Sequence, residues 1–409
     1  VGDTLTNTTE NQMKADALAG TLFYRGQIGD RLHLYSDFSY NYYYNYISNE
    51  YHQTDVSNYG YWDVWDEYKN QTAFNLEGKY LLSGRLSAEA GFSNIRRQYA
   101  SESSQGRGFL DYTETRNKFF AYLSLYLSEK AGLKTGAALE HINATDRDHR
   151  DAYLRLLPFF QFSYRFGPAV NILANYSADQ SYPSLYQLSP MALVIDTFLT
   201  QIGNPAVRSS IRHHAFAELT LWNRLKITPR FDYTRDGFSE VYDRIDNKLY
   251  RTFSNVDFRE FSLQASCDQM IGTFFRLKNS LVLYRSEALH SGSRNTLNSW
   301  LLQSSVNFFH PGKAFSAEAG YYRNMRKNIL WQGYESVDKD YWLISLQKEL
   351  WHKRLSVSLS YIPPVEFGVR RYRTKEMNTL RYGEKTGFDL SPYNNLLLLK
   401  ISLRLGKEM

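Results

Sequence analysis

The chain has 409 residues, 48 Lys and Arg against 42 Asp and Glu, a net charge of +6 and one cysteine. No stretch reaches the roughly 18 to 20 consecutive apolar residues of a membrane-spanning helix, so a helical membrane protein is excluded, and Cys267 alone excludes a disulfide framework or a thiolate metal cluster. The basic residues are scattered among the acids and form no run, so no nucleic-acid partner is expected.

Residues 1–14 read as a loop or linker, with a first strand from about Ala15 to a turn at Gly29-Asp30. The next strand ends in Tyr40, Tyr42 and Tyr44, which suits the headgroup girdle of a membrane barrel. A polar excursion at 47–70 follows, carrying Tyr51, Tyr59, Tyr61, Trp62, Trp65 and Tyr68, rings that could stack on a planar ligand or extend the girdle. Leu86, Ala88, Ala90 and Phe92 then alternate with Arg85, Ser87, Glu89 and Gly91, the period of a strand with one apolar and one polar face.

Beyond excursions at 98–117 and 143–152, the same split recurs. Leu156, Pro158, Phe160, Phe162 and Tyr164 stand against Arg155, Gln161, Ser163 and Arg165. Asp146, Asp148 and Asp151 offer oxygen to Ca²⁺, but Arg147 and Arg150 neutralise them in place, and no metal site is expected. An excursion at 180–208 precedes Leu225, Ile227, Pro229, Phe231 and Tyr233, opposite Lys226, Thr228, Arg230 and Asp232. Cys267 falls on an apolar face with Phe261, Leu263 and Ala265. Excursions at 287–297 and 325–338 come next, then Leu355, Val357, Leu359 and Tyr361 opposite Arg354, Ser356, Ser358 and Ser360. The excursion at 363–393 carries Arg370, Arg371 and Arg373, forks suited to carboxylate or phosphate groups or to lipopolysaccharide. The last strand places Leu397, Leu399, Ile401, Leu403 and Leu405 opposite Lys400, Ser402 and Arg404.

Each alternating run lasts about 10 to 14 residues, whereas strands of soluble sandwiches usually span ~5 to 6. Tight turns at Ser83-Gly84, Ser128-Glu129-Lys130, Gly167-Pro168, Asn223-Arg224, Pro311-Gly312 and His352-Lys353 interleave with the long excursions, and Phe166, Trp222, Phe308, Phe309 and Trp351 bracket several of them. The pattern predicts an all-β chain folded as a transmembrane antiparallel β-barrel, with short periplasmic turns, long extracellular loops and residues 15–409 in the barrel. About seventeen strands are counted, an odd number with both ends descending. Closed bacterial barrels have an even count, so the chain is expected to be the C-terminal part of a larger barrel, with its first strands upstream or on a separate chain. No Gly-x-Ser-x-Gly elbow or His-Glu-x-x-His helix is present, and no enzymatic activity or cofactor is expected.

One segment carries a resemblance. Tyr176-Ser-Ala-Asp-Gln-Ser-Tyr182-Pro183-Ser184-Leu-Tyr-Gln-Leu188-Ser-Pro190, followed by Asp196 and by Gly203-Asn204-Pro205-Ala206-Val207, resembles the strand-and-loop signature of TonB-dependent outer-membrane receptors, especially the Bacteroidota outer membrane β-barrel family. Tyr182 stands where Arg is common there, and Val207-Arg208-Ser209 replaces the usual Leu-x-Pro-Glu. Ser254-Asn255-Val256-Asp257 is similar to a weaker form of an Asn-x-Gly strand in the same receptors. The resemblance implies a barrel of about twenty-two strands around an N-terminal plug, with a TonB box coupling uptake to the inner-membrane proton gradient. It implies active import of a bulky nutrient in a Gram-negative outer membrane, with lipid, lipopolysaccharide, TonB, an upstream plug and a surface lipoprotein or other envelope protein as partners. The alternative is a plugless structural or assembly barrel subunit of a surface complex. Gly203-Asn204-Pro205 reads as a turn fixing the loop's exit, because Gly and Asn tolerate positive φ and Pro presets its own.

Overall fold

A computed structural model describes residues 6–54, 60–104, 109–145, 150–189, 192–194, 199–245, 248–351, 354–363, 370–378, 383–389 and 396–403. Among the described residues there are twenty-two strands. In chain order they are β1 (Thr6–Ile28), β2 (Leu32–Thr54), β3 (Gly60–Ser83), β4 (Leu86–Ser103), β5 (Phe109–Ser128), β6 (Ala131–Thr145), β7 (Arg150–Phe166) and β8 (Val170–Ser181). A four-residue helix, α1 (Leu185–Leu188), and two short strands, β9 (Leu193–Val194) and β10 (Leu199–Gln201), fill the next connection. Then come β11 (Ser210–Leu221), β12 (Leu225–Ile245), β13 (Lys248–Ile271), β14 (Phe275–His290), β15 (Ser293–His310) and β16 (Phe315–Asn324). The chain continues through β17 (Lys327–Leu330), β18 (Gly333–Leu350), β19 (Leu355–Ile362), β20 (Arg370–Asn378), β21 (Gly383–Asp389) and β22 (Leu396–Leu403).

The seventeen expected strands are β1–β8, β11–β16, β18, β19 and β22, and the other five are short pieces within the excursions. Two compact units make up the chain, 1–163 with 175–214 and 234–257, and 164–174 with 215–233 and 258–409. In the first, β1 to β6 pair consecutively and antiparallel, and β10 adds a parallel contact, Leu199–Gln201 beside Leu249–Arg251. In the second, β14, β15, β16, β18, β19 and β22 form an antiparallel series, with β17 and the β20–β21 hairpin added against β18.

Two readings are corrected. Residues 6–14, expected in a loop or linker, belong to β1, which begins at Thr6 and pairs with β2 along its whole length, Thr6 opposite Thr54, while residues 1–5 lie outside the described residues. Much of the excursions at 47–70, 98–117 and 363–393 is strand, because β2 runs to Thr54, β3 starts at Gly60, β5 starts at Phe109, and β20 and β21 form a hairpin. Above a bilayer both faces of a strand meet water, so side-chain alternation stops while backbone pairing continues.

The alternation places the apolar set outward. Phe119 and Leu123 of β5, Leu154, Leu156 and Phe160 of β7, Leu281 and Leu283 of β14, and Trp342, Ile344 and Leu346 of β18 are large apolar side chains left exposed. Exposed apolar rows on many strands are the signature of a surface solvated by lipid. Phe166, Trp222 and Trp351 are exposed at the tight turns, where Gly29, Gly167 and Gly272 take the positive φ that sharp reversals demand.

With strands rising about 3.3 Å per residue and tilted, Leu123 lies near the middle of an apolar band about 25 Å tall. Leu123→Arg is expected to cost about 2–4 kcal/mol of folding free energy in lipid vesicles, read by urea titration. The same substitution at Ser124, on the opposite face, should cost distinctly less.

Candidate functional site

The described residues of the segment 182–207 form a latch, and its sequence shows why. Ser184 caps α1: its Oγ accepts from the Gln187 amide at 3.3 Å, and Gln187 Oε1 accepts from the Ser184 amide at 2.8 Å. That reciprocal pair is a capping box, which satisfies donors a four-residue helix would otherwise leave open. Pro183 before it is buried. Gly203 and Asn204 return across the other end, their amides donating to Ser189 O at 2.9 Å and Gln187 O at 2.7 Å. A Cβ on Gly203 would lie 2.2 Å from Ser189 O, so only glycine permits this backbone contact.

Asn204 then ties the latch to β13. Its Nδ2 donates to Phe253 O at 2.9 Å, while its Oδ1 accepts from the Ala206 amide at 3.0 Å, with Pro205 inside the turn. Asn255 of β13 completes the seam by accepting from the Arg208 amide and donating to Arg208 O, both at 2.9 Å, and to Asp236 O at 2.7 Å. Asp257 Oδ1 accepts from the amide of Asp236, whose φ of 56° is rare for a residue with a side chain. Leu188 and Val207 anchor the latch in a buried cluster with Tyr99, Leu110, Tyr112 and Phe253.

Gly203→Val is expected to drive a side chain into backbone that cannot yield, costing about 1–3 kcal/mol. The loop should become cleavable by protease added to intact cells while the rest of the protein resists. An unchanged cleavage pattern would contradict this role for the contact.

Beneath the latch lies a buried ionic cluster. Glu114 of β5 accepts from Arg97 at 2.9 Å, from Tyr112 OH at 2.6 Å and from Arg116 Nε. The Arg116 guanidinium lies 3.1 Å from the centroid of the Tyr182 ring, and Tyr182 OH donates to Glu140. Burial, followed by the bond to Glu140, pushes the Tyr182 hydroxyl above the usual phenol range and keeps it protonated.

Next to the cluster, side chains from β2, β3 and β4 face the latch across a cavity of about 440 Å³. Asn41, Tyr43, Asn45 and Ile47 of β2, Glu67 and Lys69 of β3, and Tyr99 of β4 line one side, and Tyr186, Ser189, Gln201 and Gly203 line the other. The register explains the grouping, since Asn45 is opposite Glu67, Tyr43 opposite Lys69 and Lys69 opposite Tyr99. All of these are positions of one face of the sheet, the one that also carries Asp37 bonded to Asn75 at 2.9 Å.

Of the aromatic candidates, Trp65 is 0% exposed and cannot serve as an open stacking platform, whereas Trp62, on the opposite face, is 47% exposed. Tyr61 lies on β3 opposite Tyr51, and Tyr59 is outside the described residues. Arg370, Arg371 and Arg373 belong to strand β20, at positions opposite Asp340, Lys339 and Val337 of β18, rather than to a loop. Pro190, Asp146 and Asp148 lie outside the described residues, and Asp151 Oδ2 is 4.0 Å from Arg208 Nε. No group of three potential metal ligands occurs among the described residues. Asn41, Tyr43, Asn45, Glu67 and Lys69 were not singled out by sequence, and nothing short of the cross-strand register marks them.

Exposed apolar rows, aromatic turns and an opposite polar face are those of an outer-membrane β-barrel. The chain belongs to the outer membrane protein beta-barrel family, whose model matches residues 89–386, and it resides in the outer membrane. No curated protein matches the sequence. Among solved structures, the copper transporter OprC is similar with a TM-score of 0.64 at 11% identity, over 86% of this chain and 60% of OprC. The ferric preacinetobactin receptor BauA from Acinetobacter baumannii is similar with a TM-score of 0.55 at 9% identity, over 97% of this chain and 63% of BauA. The siderophore receptor PirA from Pseudomonas aeruginosa is similar with a TM-score of 0.54 at 12% identity, over 95% of this chain and 75% of PirA. The chain shares the barrel fold of these three proteins and spans less than two thirds of the length of OprC and BauA.

Proposed function

We propose that this chain is the barrel portion of a TonB-dependent transporter that actively takes up a bulky nutrient across the outer membrane. The observation that carries the reading is the latch: a folded loop held by Gly203, Asn204 and Asn255 on the polar face of a barrel whose structural neighbours are named as a copper transporter and siderophore receptors. In this reading the apolar face contacts membrane lipid and lipopolysaccharide, an upstream plug fills the lumen, and TonB couples it to the proton gradient.

The test is accumulation of candidate nutrients by cells, compared between wild type, a strain lacking this protein and a strain lacking TonB. Uptake that requires both proteins and stops when the proton gradient is collapsed is the expected result. Energised uptake through this protein that persists without TonB would overturn the reading.

A further inference from the structure

The cavity beside the latch has unused bonding capacity of a specific kind. Glu67 Oε1 accepts from Tyr99 OH at 2.7 Å and Oε2 accepts from Asn45 Nδ2 at 3.2 Å, which fixes the amide of Asn45. Asn45 is 4% exposed, and its Oδ1 has no hydrogen-bond partner. A buried carbonyl oxygen without a donor is disfavoured, so its presence in a cavity wall points to a donor supplied from outside the chain. Lys69, two residues along β3 from Glu67 and hence about 7 Å away, forms no ion pair among the described residues. Gln201 offers no comparable capacity, since its Nε2 donates to Tyr186 OH and its Oε1 accepts from Arg251.

We infer that this cavity binds a small zwitterion, an amino acid or short peptide. An ammonium group has three donors and suits two neighbouring acceptors, the Asn45 Oδ1 and the Glu67 carboxylate. A carboxylate suits the unpaired Lys69. Tyr43, Tyr99 and Tyr186 supply flat apolar walls for a side chain, and their ring faces add attraction for the cation. Opposite charges on Glu67 and Lys69 leave the site neutral, so a ligand carrying one charge of either sign is disfavoured relative to one carrying both. The volume falls within the range of small-molecule pockets and is too small for a large assembly.

The inference names a substrate class and in that respect rests on the transport reading, but the binding is tested without transport. The full-length protein, purified from outer membranes, is titrated calorimetrically with glycyl-L-phenylalanine, its N-acetylated form and its C-terminal amide. Each capped form is expected to bind about tenfold more weakly, the scale of one lost charge-assisted hydrogen bond. Glu67→Gln should erase the difference between free and acetylated peptide, and Lys69→Met the difference between free acid and amide. Both variants are first checked for the heat-modifiable folded form. If either fails to fold, the capped peptides on wild-type protein decide. Equal binding of the three peptides, no binding of the free dipeptide, or tighter binding of maltotriose would overturn the inference. A null titration together with TonB-dependent uptake of another nutrient would leave the transport reading standing.

Discussion

Deleting Leu396–Leu403 is expected to abolish the folded, heat-modifiable protein in outer membranes altogether. β22 pairs with β19 from Leu355 opposite Leu403 to Ile362 opposite Leu396. Its removal strips the partner from one edge of β19, a strand whose Leu359 is apolar and exposed. In hydrocarbon no water replaces the lost backbone partners, and each unsatisfied group costs several kcal/mol, more in sum than the few kcal/mol that separate folded from unfolded barrels. The control is Lys400→Ala with Ser402→Ala, which alters the polar face and keeps every backbone pair. That double variant should insert normally. A heat-modifiable band on unboiled gels of the deletion protein would refute the argument.

The difference between edge and side chain also explains how much could be read in advance. Strands such as β4, β12 and β19 announce themselves through alternation because one face must be apolar where it meets lipid. The upper parts of β2 and β3 do not. There Asn49 faces Asp63 and Glu50 faces Trp62 in register, with no apolar row to report the strand, so the sequence read as loop. The latch was legible as a pattern of Pro, Ser, Gly and Asn, yet its reasons are contacts between distant residues: Gly203 on Ser189, Asn204 on Phe253, Asn255 on Arg208. The cavity was illegible for a related cause. Asn45, Glu67 and Lys69 are ordinary polar residues on an inner face, and Asn45 and Glu67 are twenty-two positions apart in the chain. Aromatic density instead drew attention to Trp62 and Trp65, of which one points to the outer face and the other is buried.

The second large effect concerns a single carboxylate. Glu114 is 2% exposed and receives Arg97, Arg116 and Tyr112, so one negative charge compensates one buried guanidinium, that of Arg116, and one largely buried guanidinium, that of Arg97. Removing it leaves both cations facing each other without an acceptor, and Arg97 already has an Nε with no partner. Loss of one member of a buried pair costs about 3–5 kcal/mol, because the penalty is the stranded charge and not the lost attraction. Glu114→Ala is therefore expected to lower the urea midpoint sharply in lipid vesicles. Since Arg116 lies against the Tyr182 ring, it should also loosen the latch and expose the 182–207 segment to protease. Arg97→Met should be much milder: it leaves Glu114 paired one to one with Arg116 and fills the vacated space with an apolar chain. The double variant Arg97→Met with Glu114→Ala should then cost less than the sum of the two, by about 0.5–3 kcal/mol. Additive losses would mean that the two groups do not compensate each other, and the cluster would have to be understood as packing alone.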